Sequence, residues 1–480
     1  MLIKMRKIIS LSLLSILAAC GGGGGNSGDS TTTPPGNTGF PPSSTLANLC
    51  ANPRANTSDR QGTVENEKSY LRSFVDETYL WYADIPSNIV AANYATPQLY
   101  FDVLKTNAKT NSGASVDQFH WSQTTASWNA ASSGIAQDYG IKWMVKGTAP
   151  SRIFLAADVA PGSPAALAGI KRGDIITSID GVVATEATAD GVAALNEILS
   201  PTKVVAHKLG FNGAAEISLT PATYSTSTVL NVKTIPTASG TVGYFTFDTH
   251  IAKSEAELIA AIKQLKAANV TDLVIDLRYN GGGLLYVASQ LAYMIAGPTT
   301  TNGQIFEKLT YNDKLAAKNT VYPFYAVTTA NEQLPYLGLK RVTLLVTRNT
   351  ASASESIINS LRGVDVAVDL IGDLTRGKPY GFVPQDNCSY TYFAIQFKGV
   401  NQKGFGDYAD GFSPTCKASD DVTHLRGDAN ETMLKTALSY RQTGLCPANS
   451  AGASVLGAEP GYELIRPASQ EMRILAAMPH

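Results

Sequence analysis

One stretch of the chain, residues 341–378, constrains the fold more than any other. It begins with the apolar, β-branched run Val342–Val346, which predicts a short buried strand. The segment Ile357–Arg362 predicts a helix that ends at Gly363, since glycine is the usual residue after a helix C-terminus. A second apolar run, Val364–Ile371, predicts the next strand. Such alternation of strands and helices indicates an α/β layered domain.

Ser352 lies at the corner between the first strand and the helix. A serine there is well placed as a nucleophile, because the first N–H groups of the helix face any oxyanion that forms. Lys378 follows Gly377 on a later loop and is the candidate base, since burial lowers the pKa of a lysine and Ser–Lys pairs perform acyl transfer. The structural alternative is that Ser352 and Glu355 form only a capping box that starts the helix.

Two other chemistries are disfavoured. The spacing Gly372-x-x-x-x-Gly377-Lys378 imitates a phosphate-binding loop, but that loop needs Ser or Thr after the lysine, and this chain has Pro379. His250 and His424 have aspartates nearby in the sequence, yet no motif links either histidine to the serine. A nucleotide site and a histidine-based triad are therefore weaker hypotheses than a Ser–Lys pair.

The segments Ser352-Ala353-Ser354-Glu355 and Gly372-x-x-Thr375-x-Gly377-Lys378 resemble the core of the carboxyl-terminal processing (tail-specific) serine peptidases. This resemblance implies that Ser352 is the nucleophile and Lys378 the general base. The family often has a glutamine four positions after the lysine, and here that position is Phe382. Gln385 is the nearby candidate for the missing glutamine.

The predicted strand Val270–Leu277 runs into a second stretch, Asp276–Gly283, which ends in three glycines. Glycines allow a close approach of the backbone, which suits either N–H groups aimed at an oxyanion or a tight turn alone. The stretch resembles another signature of the same peptidase family. The resemblance implies an oxyanion hole formed by the N–H of Gly282 or Gly283 together with that of Ala353, and a crotonase-like (ClpP/crotonase type) core.

Residues 131–222 predict a small β-rich domain. The segment 160–181 contains a short helix, a glycine turn, an apolar strand and an Asp-Gly turn, and it resembles a bacterial PDZ domain. Such domains add a peptide as a strand and capture its terminal carboxylate with backbone N–H groups. Tyr139, Gly140 and Ile141 are the candidates for that capture. The alternative is a spacer domain without a peptide site.

The N-terminus predicts export. Residues 1–19 combine a positive end with an apolar core that is too short to span a bilayer. The segment Leu17-Ala18-Ala19-Cys20 resembles a bacterial lipobox, which implies cleavage before Cys20, lipid attachment to it and location in the cell envelope, with Gly21 favouring the outer membrane. The alternative is an ordinary signal peptide. Residues 20–45, rich in Gly, Ser, Thr and Pro, predict a flexible tether.

The remaining boundaries follow from composition and motif order. Residues 46–130 predict a mainly helical N-terminal region, residues 223–446 the peptidase core, and residues 447–480 an irregular C-terminal tail. The 480 residues carry 38 Lys and Arg against 39 Asp and Glu, a balance that argues against a nucleic-acid partner. The chemistry needs neither a metal nor an organic cofactor.

The cysteines predict disulfide bonds rather than a metal site. Apart from Cys20 the chain has Cys50, Cys388, Cys416 and Cys446, whose spacing fits no metal-binding pattern. An exported protein forms disulfides, and four cysteines allow three pairings. We expect Cys50–Cys446, joining the two ends of the folded part, and Cys388–Cys416.

Taken together, the sequence predicts a multidomain α/β serine endopeptidase of the cell envelope. A PDZ-like domain would present the C-terminal segment of a protein substrate to Ser352 and Lys378. The alternative is an envelope lipoprotein that binds peptides on a peptidase scaffold without cutting them.

Overall fold

A computed structural model of the protein describes residues 39–147, 151–199, 201, 203–448, 463–465 and 473–475. These residues belong to one compact unit. The predicted export signal, Cys20 and most of the predicted tether lie outside the described residues. Within those ranges, every helix is too short or too polar to cross a bilayer.

The N-terminal region is built from helices packed around aromatic side chains. The longest helix begins after Thr63, whose side chain and backbone exchange hydrogen bonds with Asn66, and it buries Leu71, Phe74 and Val75. Helices are the main regular elements of this region, and irregular chain connects them. Its elements are α1 (Ser43–Leu46), β1 (Leu49–Cys50), β2 (Arg60–Gln61), α2 (Val64–Thr78), α3 (Pro97–Phe101), β3 (Trp121–Thr124) and α4 (Thr125–Ser132).

The next region is a β-domain whose strands run in the order β10-β9-β7-β6-β5 across one sheet. Trp143, Phe154 and Leu209 are buried in its core, and β4 pairs with β11 to bring the two ends of the region together. Its elements are β4 (Ile135–Asp138), β5 (Ile141–Lys146), β6 (Ile153–Val159), α5 (Pro164–Leu167), β7 (Ile175–Ile179), β8 (Val182–Val183), α6 (Ala189–Leu199), β9 (His207–Phe211), β10 (Ile217–Leu219) and β11 (Ala222–Ser225).

The largest region is an α/β core around a six-stranded sheet. Its elements are β12 (Val229–Thr237), β13 (Gly240–Phe247), α7 (Ser254–Ala267), β14 (Asp272–Asp276), β15 (Gly282–Leu284), α8 (Leu285–Ala296), α9 (Pro298–Thr301), β16 (Ile305–Tyr311), β17 (Thr320–Pro323), β18 (Arg341–Val346), α10 (Ala353–Gly363), β19 (Ala367–Gly372), β20 (Tyr380–Gly381), β21 (Gln385–Asn387), β22 (Tyr390–Phe393), β23 (Phe397–Val400), β24 (Cys416–Lys417) and α11 (Thr432–Thr443). The sheet has the order β12-β13-β14-β18-β19-β24 and is parallel except for the β12–β13 hairpin.

Helices cover both faces of this sheet. Along β18, Val342 and Leu344 face the apolar cluster formed with α7, α8 and α10, whereas Leu345 faces the cluster formed with α11. A parallel strand buried on both faces has a continuous apolar sequence, which is why residues 342–346 predicted the strand correctly.

Two short strands of the C-terminal tail complete the described structure, where the sequence predicted only irregular chain. Strand β25 (Glu463–Leu464) pairs antiparallel with β5 at the edge of the β-domain sheet. Strand β26 (Arg473–Leu475) pairs in parallel with β15 of the core.

The disulfide bonds correct one expectation. All four cysteines are paired, but as Cys50–Cys388 and Cys416–Cys446. Cys50 lies on β1 beside α2, and this region packs against the chain around β22, so its nearest cysteine is Cys388. The predicted pairs Cys50–Cys446 and Cys388–Cys416 are therefore wrong, because Cys416 lies in the apolar cluster of α11, the helix that Cys446 follows.

The β-domain contacts the core through buried ion pairs. Arg172 of the β-domain pairs with Asp420, at 2.5 Å, and Tyr279 donates to the same carboxylate. Arg426 bridges Asp158 of the β-domain and Asp248 of the core. Burial opposes ionisation of Asp248 and Asp420, but neighbouring cations hold both pKa values far below their usual range. These are Arg426 and Lys142 for Asp248, and Arg278 and Arg172 for Asp420.

Candidate active site

Ser352 lies at the turn between β18 and α10, as predicted. Its backbone is strained, with φ 64° and ψ −122°, a conformation that costs a non-glycine residue free energy. Its side chain is fully buried, and among the described residues its hydroxyl oxygen has no hydrogen-bond partner. A strained serine at such a corner is typical of a nucleophile. Ser352 and Glu355 also have the geometry of the predicted capping box, so Ser352 begins the helix as well.

Glu355 organises this turn. Its buried carboxylate accepts four hydrogen bonds, from Ser352 N (2.9 Å), Lys378 N (2.8 Å), Gly377 N (2.7 Å) and the Thr375 hydroxyl (2.6 Å). Burial raises the pKa of Glu355, and these hydrogen bonds oppose the rise. Since one oxygen binds the backbone N–H of both Ser352 and Lys378, the two residues predicted to react are joined through a single side chain.

Lys378 is fully buried and lies between two aromatic rings. Its Nζ is 4.2 Å from the centre of the Phe382 ring and 4.8 Å from that of Phe119. Gln385 is exposed on β21, where its side-chain amide donates to the carbonyl of Asp386. The structure does not support Gln385 as the replacement for the family's glutamine, because Gln385 is exposed on β21 whereas Lys378 is fully buried.

The glycines predicted for the oxyanion hole lie on β15, beside the serine turn. Gly282 N–H donates to the side-chain oxygen of Asn280 (2.9 Å), so this group is already used. Gly283 has φ 143°, and a Cβ at this position would overlap the carbonyl of His250. Ala353 is the first residue of α10, where N–H groups lack an intrahelical partner. Gly283 and Ala353 are thus the better donor pair.

Asn280 connects the glycine strand to the serine turn, a role that the sequence analysis missed. Its carbonyl accepts from Ala351 N–H and from the Ser354 hydroxyl, both at 3.1 Å. Its side chain donates to Phe247 O and accepts from Gly282 N–H. The position of this asparagine directly before three glycines was the feature that could have identified it.

His250 lies beside the same glycines and is fully buried. Its backbone pairs with Gly282 and Leu284, and its Nδ1 lies 3.1 Å from the side-chain oxygen of Asn280. Burial lowers the pKa of His250 to about 3, so the imidazole is neutral at physiological pH.

This buried histidine should make the fold sensitive to acid. Below the unfolded pKa of about 6.5 the unfolded chain binds a proton that the folded site does not, so the free energy of unfolding should fall by about 1.4 kcal/mol per pH unit down to pH 3. Urea unfolding of wild type and His250→Gln between pH 7.5 and 5 measures this slope. An equal slope in both proteins would contradict the assignment.

The predicted capture loop, Tyr139–Ile141, lies at the start of β5. Gly140 N–H donates to the Asp138 carboxylate (2.6 Å), which also accepts from the Tyr224 hydroxyl. Gly140 N–H is therefore occupied, and capture of a terminal carboxylate by this loop stays a prediction. The edge of β5 next to this loop, where a peptide ligand would add as a strand, is paired with β25.

Comparison with known families matches three parts of the chain. The model described as "Peptidase family S41" matches residues 241–386, which include Ser352 and Lys378. The model "PDZ domain" matches residues 155–201, and "Peptidase S41 N-terminal domain" matches residues 66–122. The three models lie in the order expected from the sequence.

Individual proteins show similar relationships. The C-terminal processing peptidase of Tetradesmus obliquus chloroplasts is 26% identical over 233 residues, 46% of this chain and 46% of the relative. The carboxyl-terminal-processing protease of Synechocystis sp. is 30% identical over 219 residues, 45% of this chain and 47% of the relative. The matched region thus spans about half the length of each relative.

One solved structure supports the fold. A crystallised protein of Bacteroides fragilis NCTC 9343, described as an S41 protease, superposes with a TM-score of 0.64 at 24% identity. The superposition covers 78% of this chain and 97% of that chain. Most of this chain therefore shares its fold with a known structure.

Proposed function

Because the chain belongs to peptidase family S41 and carries a PDZ domain, we propose that it is a serine endopeptidase that cleaves proteins near their C-terminus. The observation that carries this proposal is Ser352, strained and buried with an uncommitted hydroxyl, whose backbone shares the Glu355 carboxylate with Lys378.

The proposed reaction follows the usual course of acyl transfer. Ser352 Oγ attacks the carbonyl carbon of the substrate peptide bond while Lys378 Nζ accepts the hydroxyl proton. The N–H groups of Gly283 and Ala353 stabilise the oxyanion. Lys378 then donates the proton to the leaving amine, and water hydrolyses the acyl-enzyme with the lysine again acting as base. Burial of both side chains keeps the reacting groups away from bulk water.

The proposal includes the fold and location of the enzyme. The parallel strands β13, β14, β18 and β19 with α8 and α10 on one face support a crotonase-like core. The lipobox-like segment ending at Cys20 supports a lipid-anchored protein of the cell envelope, at the outer membrane. The two disulfide bonds agree with an oxidising compartment such as the periplasm.

Cleavage of an unstructured protein with an apolar C-terminus tests the proposal. Wild type should cut it and should be labelled at Ser352 by a fluorophosphonate, whereas Ser352→Ala should do neither. Ser360→Ala is the matched control, because Ser360 is also buried on α10 without a hydrogen-bond partner among the described residues. Cleavage by Ser352→Ala at the wild-type rate would overturn the proposal.

A second candidate function is peptide binding without cleavage. Phe382 favours it, because this buried ring stands where the family often has a glutamine near the lysine. A wild-type chain that binds the unstructured protein, leaves it intact and is not labelled by the fluorophosphonate would establish this alternative.

A further inference from the structure

The tail strand β25 occupies the edge of the PDZ sheet where a bound peptide would lie. Glu463 is opposite Val145, Leu464 is opposite Met144, and Ile465 N–H donates to Trp143 O (2.8 Å). Because the pairing is antiparallel, the tail runs toward the loop Tyr139–Ile141. A peptide that augments a PDZ sheet adds as a strand at such an open edge.

Side chains reinforce this pairing. Leu464 packs against the buried cluster that includes Met144 and Tyr279, and Ile465 packs against the core of the PDZ domain. The tail thus meets the domain through backbone hydrogen bonds and apolar contacts, the two kinds of contact that a peptide ligand uses.

Farther along the chain, β26 pairs side by side with β15, the strand that carries Gly282 and Gly283. Arg473 is opposite Gly282, Ile474 is opposite Gly283 and Leu475 is opposite Leu284. The same tail strand also lies against β20, two residues after Lys378. It is therefore placed between the glycine strand and the segment that carries the lysine.

The orientation of Gly283 strengthens this observation. Gly282 O and Leu284 N are bonded to the backbone of His250, so the N–H and C=O of Gly283 point to the other side of β15, toward the tail. In a pair of parallel strands, a residue oriented in this way forms hydrogen bonds with the residues immediately before and after the one opposite it. Gly283 N–H therefore faces the carbonyl of Arg473, the position that a substrate carbonyl would take.

We propose that the C-terminal segment with β25 and β26 is an intramolecular ligand, which fills the PDZ groove and the strand position beside Gly283 and so competes with protein substrates. The interpretation of β26 beside Gly283 rests on the proposed peptidase function, whereas that of β25 in the PDZ groove does not. The two contacts lie on one segment, with seven residues between Ile465 and Arg473, so one displacement would open both.

The factor by which the tail weakens binding of a free peptide depends on the effective concentration of the tethered tail. A tethered segment competes at an effective concentration of about 1 mM. A free peptide that binds the open groove with a Kd of about 0.1 mM should then bind the closed chain about tenfold more weakly.

The test uses the full chain with Ser352→Ala, so that nothing is cut, and a fluorescein-labelled synthetic peptide of residues 461–475. Ile465→Pro removes the N–H that bonds Trp143 and should raise the affinity for the peptide about tenfold by anisotropy. Leu464→Pro is the matched control, because N–H groups alternate along a strand and this one faces away from β5. It should change the affinity less than twofold.

A second pair of variants tests β26 in the same way. Leu475→Pro removes the N–H that faces Gly283, and Ile474→Pro removes one that faces away. A fluorophosphonate applied to these variants with Ser352 intact should label Leu475→Pro faster than Ile474→Pro. Equal peptide affinity in Ile465→Pro, Leu464→Pro and the parent would overturn the intramolecular ligand.

These measurements separate the inference from the proposed function. If peptide affinity depends on Ile465 but the intact chain neither cuts nor reacts, the peptidase proposal fails and the intramolecular ligand stands. If the intact chain cuts substrate while all proline variants bind the peptide equally, the peptidase stands and the intramolecular ligand fails.

Discussion

Lys378→Met should leave a folded protein that no longer cleaves substrate. Methionine keeps the length and apolar stem of the side chain between Phe119 and Phe382 but cannot accept a proton. Loss of a general base lowers turnover by about 100- to 10,000-fold. Urea unfolding of Lys378→Met, measured beside its turnover, separates loss of the base from loss of the buried contacts of this side chain.

A charged substitution and a control variant test whether the lysine acts as a proton acceptor or only as a positive charge. Lys378→Arg places a permanent positive charge near the rings, because arginine cannot be deprotonated in proteins, so it should be as inactive as Lys378→Met. Lys398→Met, at an exposed position of β23, is the control and should retain wild-type turnover. Wild-type turnover in Lys378→Arg would rule out the lysine as a base.

Glu355→Gln should destabilise the protein and inactivate it together. The amide keeps one acceptor oxygen and replaces the other with an NH₂ group, which then faces N–H donors that have lost their partner. Losing two hydrogen bonds to a buried carboxylate should cost about 3–5 kcal/mol of the free energy of unfolding. Turnover should fall as well, since the same oxygens hold the backbones of Ser352 and Lys378.

Urea unfolding and turnover at one pH measure both effects. Glu332→Gln is the control, because Glu332 is exposed and its replacement should change stability by less than about 0.5 kcal/mol. A Glu355→Gln protein with wild-type stability would show that the four hydrogen bonds contribute little. Wild-type turnover in a destabilised protein would show that the carboxylate does not position the two catalytic groups.

The sequence predicted the position of Ser352 because the local order of elements is sufficient to place it. An apolar strand, a serine corner and a helix follow one another in fewer than 25 residues, and the structure has β18, Ser352 and α10 in that order. The role of Glu355 was half predicted. Its capping-box spacing correctly predicts the hydrogen bond from the Ser352 N–H. The other three donors belong to Thr375, Gly377 and Lys378, which lie on a later loop.

The errors concern contacts between distant parts of the chain. Cys50 and Cys388 are separated by 338 positions, and four cysteines carry no local information on which pair meets. Gln385 was chosen by its distance along the chain from Lys378, whereas its strand β21 exposes it. The tail strands β25 and β26 have two and three residues, too few for an alternating pattern to show.

The disulfide bond between Cys50 and Cys388 encloses the PDZ domain, Ser352 and Lys378 in one covalent ring of chain. A backbone cut by another protease anywhere between the two cysteines therefore releases neither piece. Such a nicked molecule would migrate as a single species under non-reducing conditions and separate into two fragments after reduction. A protein built this way withstands one cut in any of its exposed loops between the two cysteines without losing half of its active site.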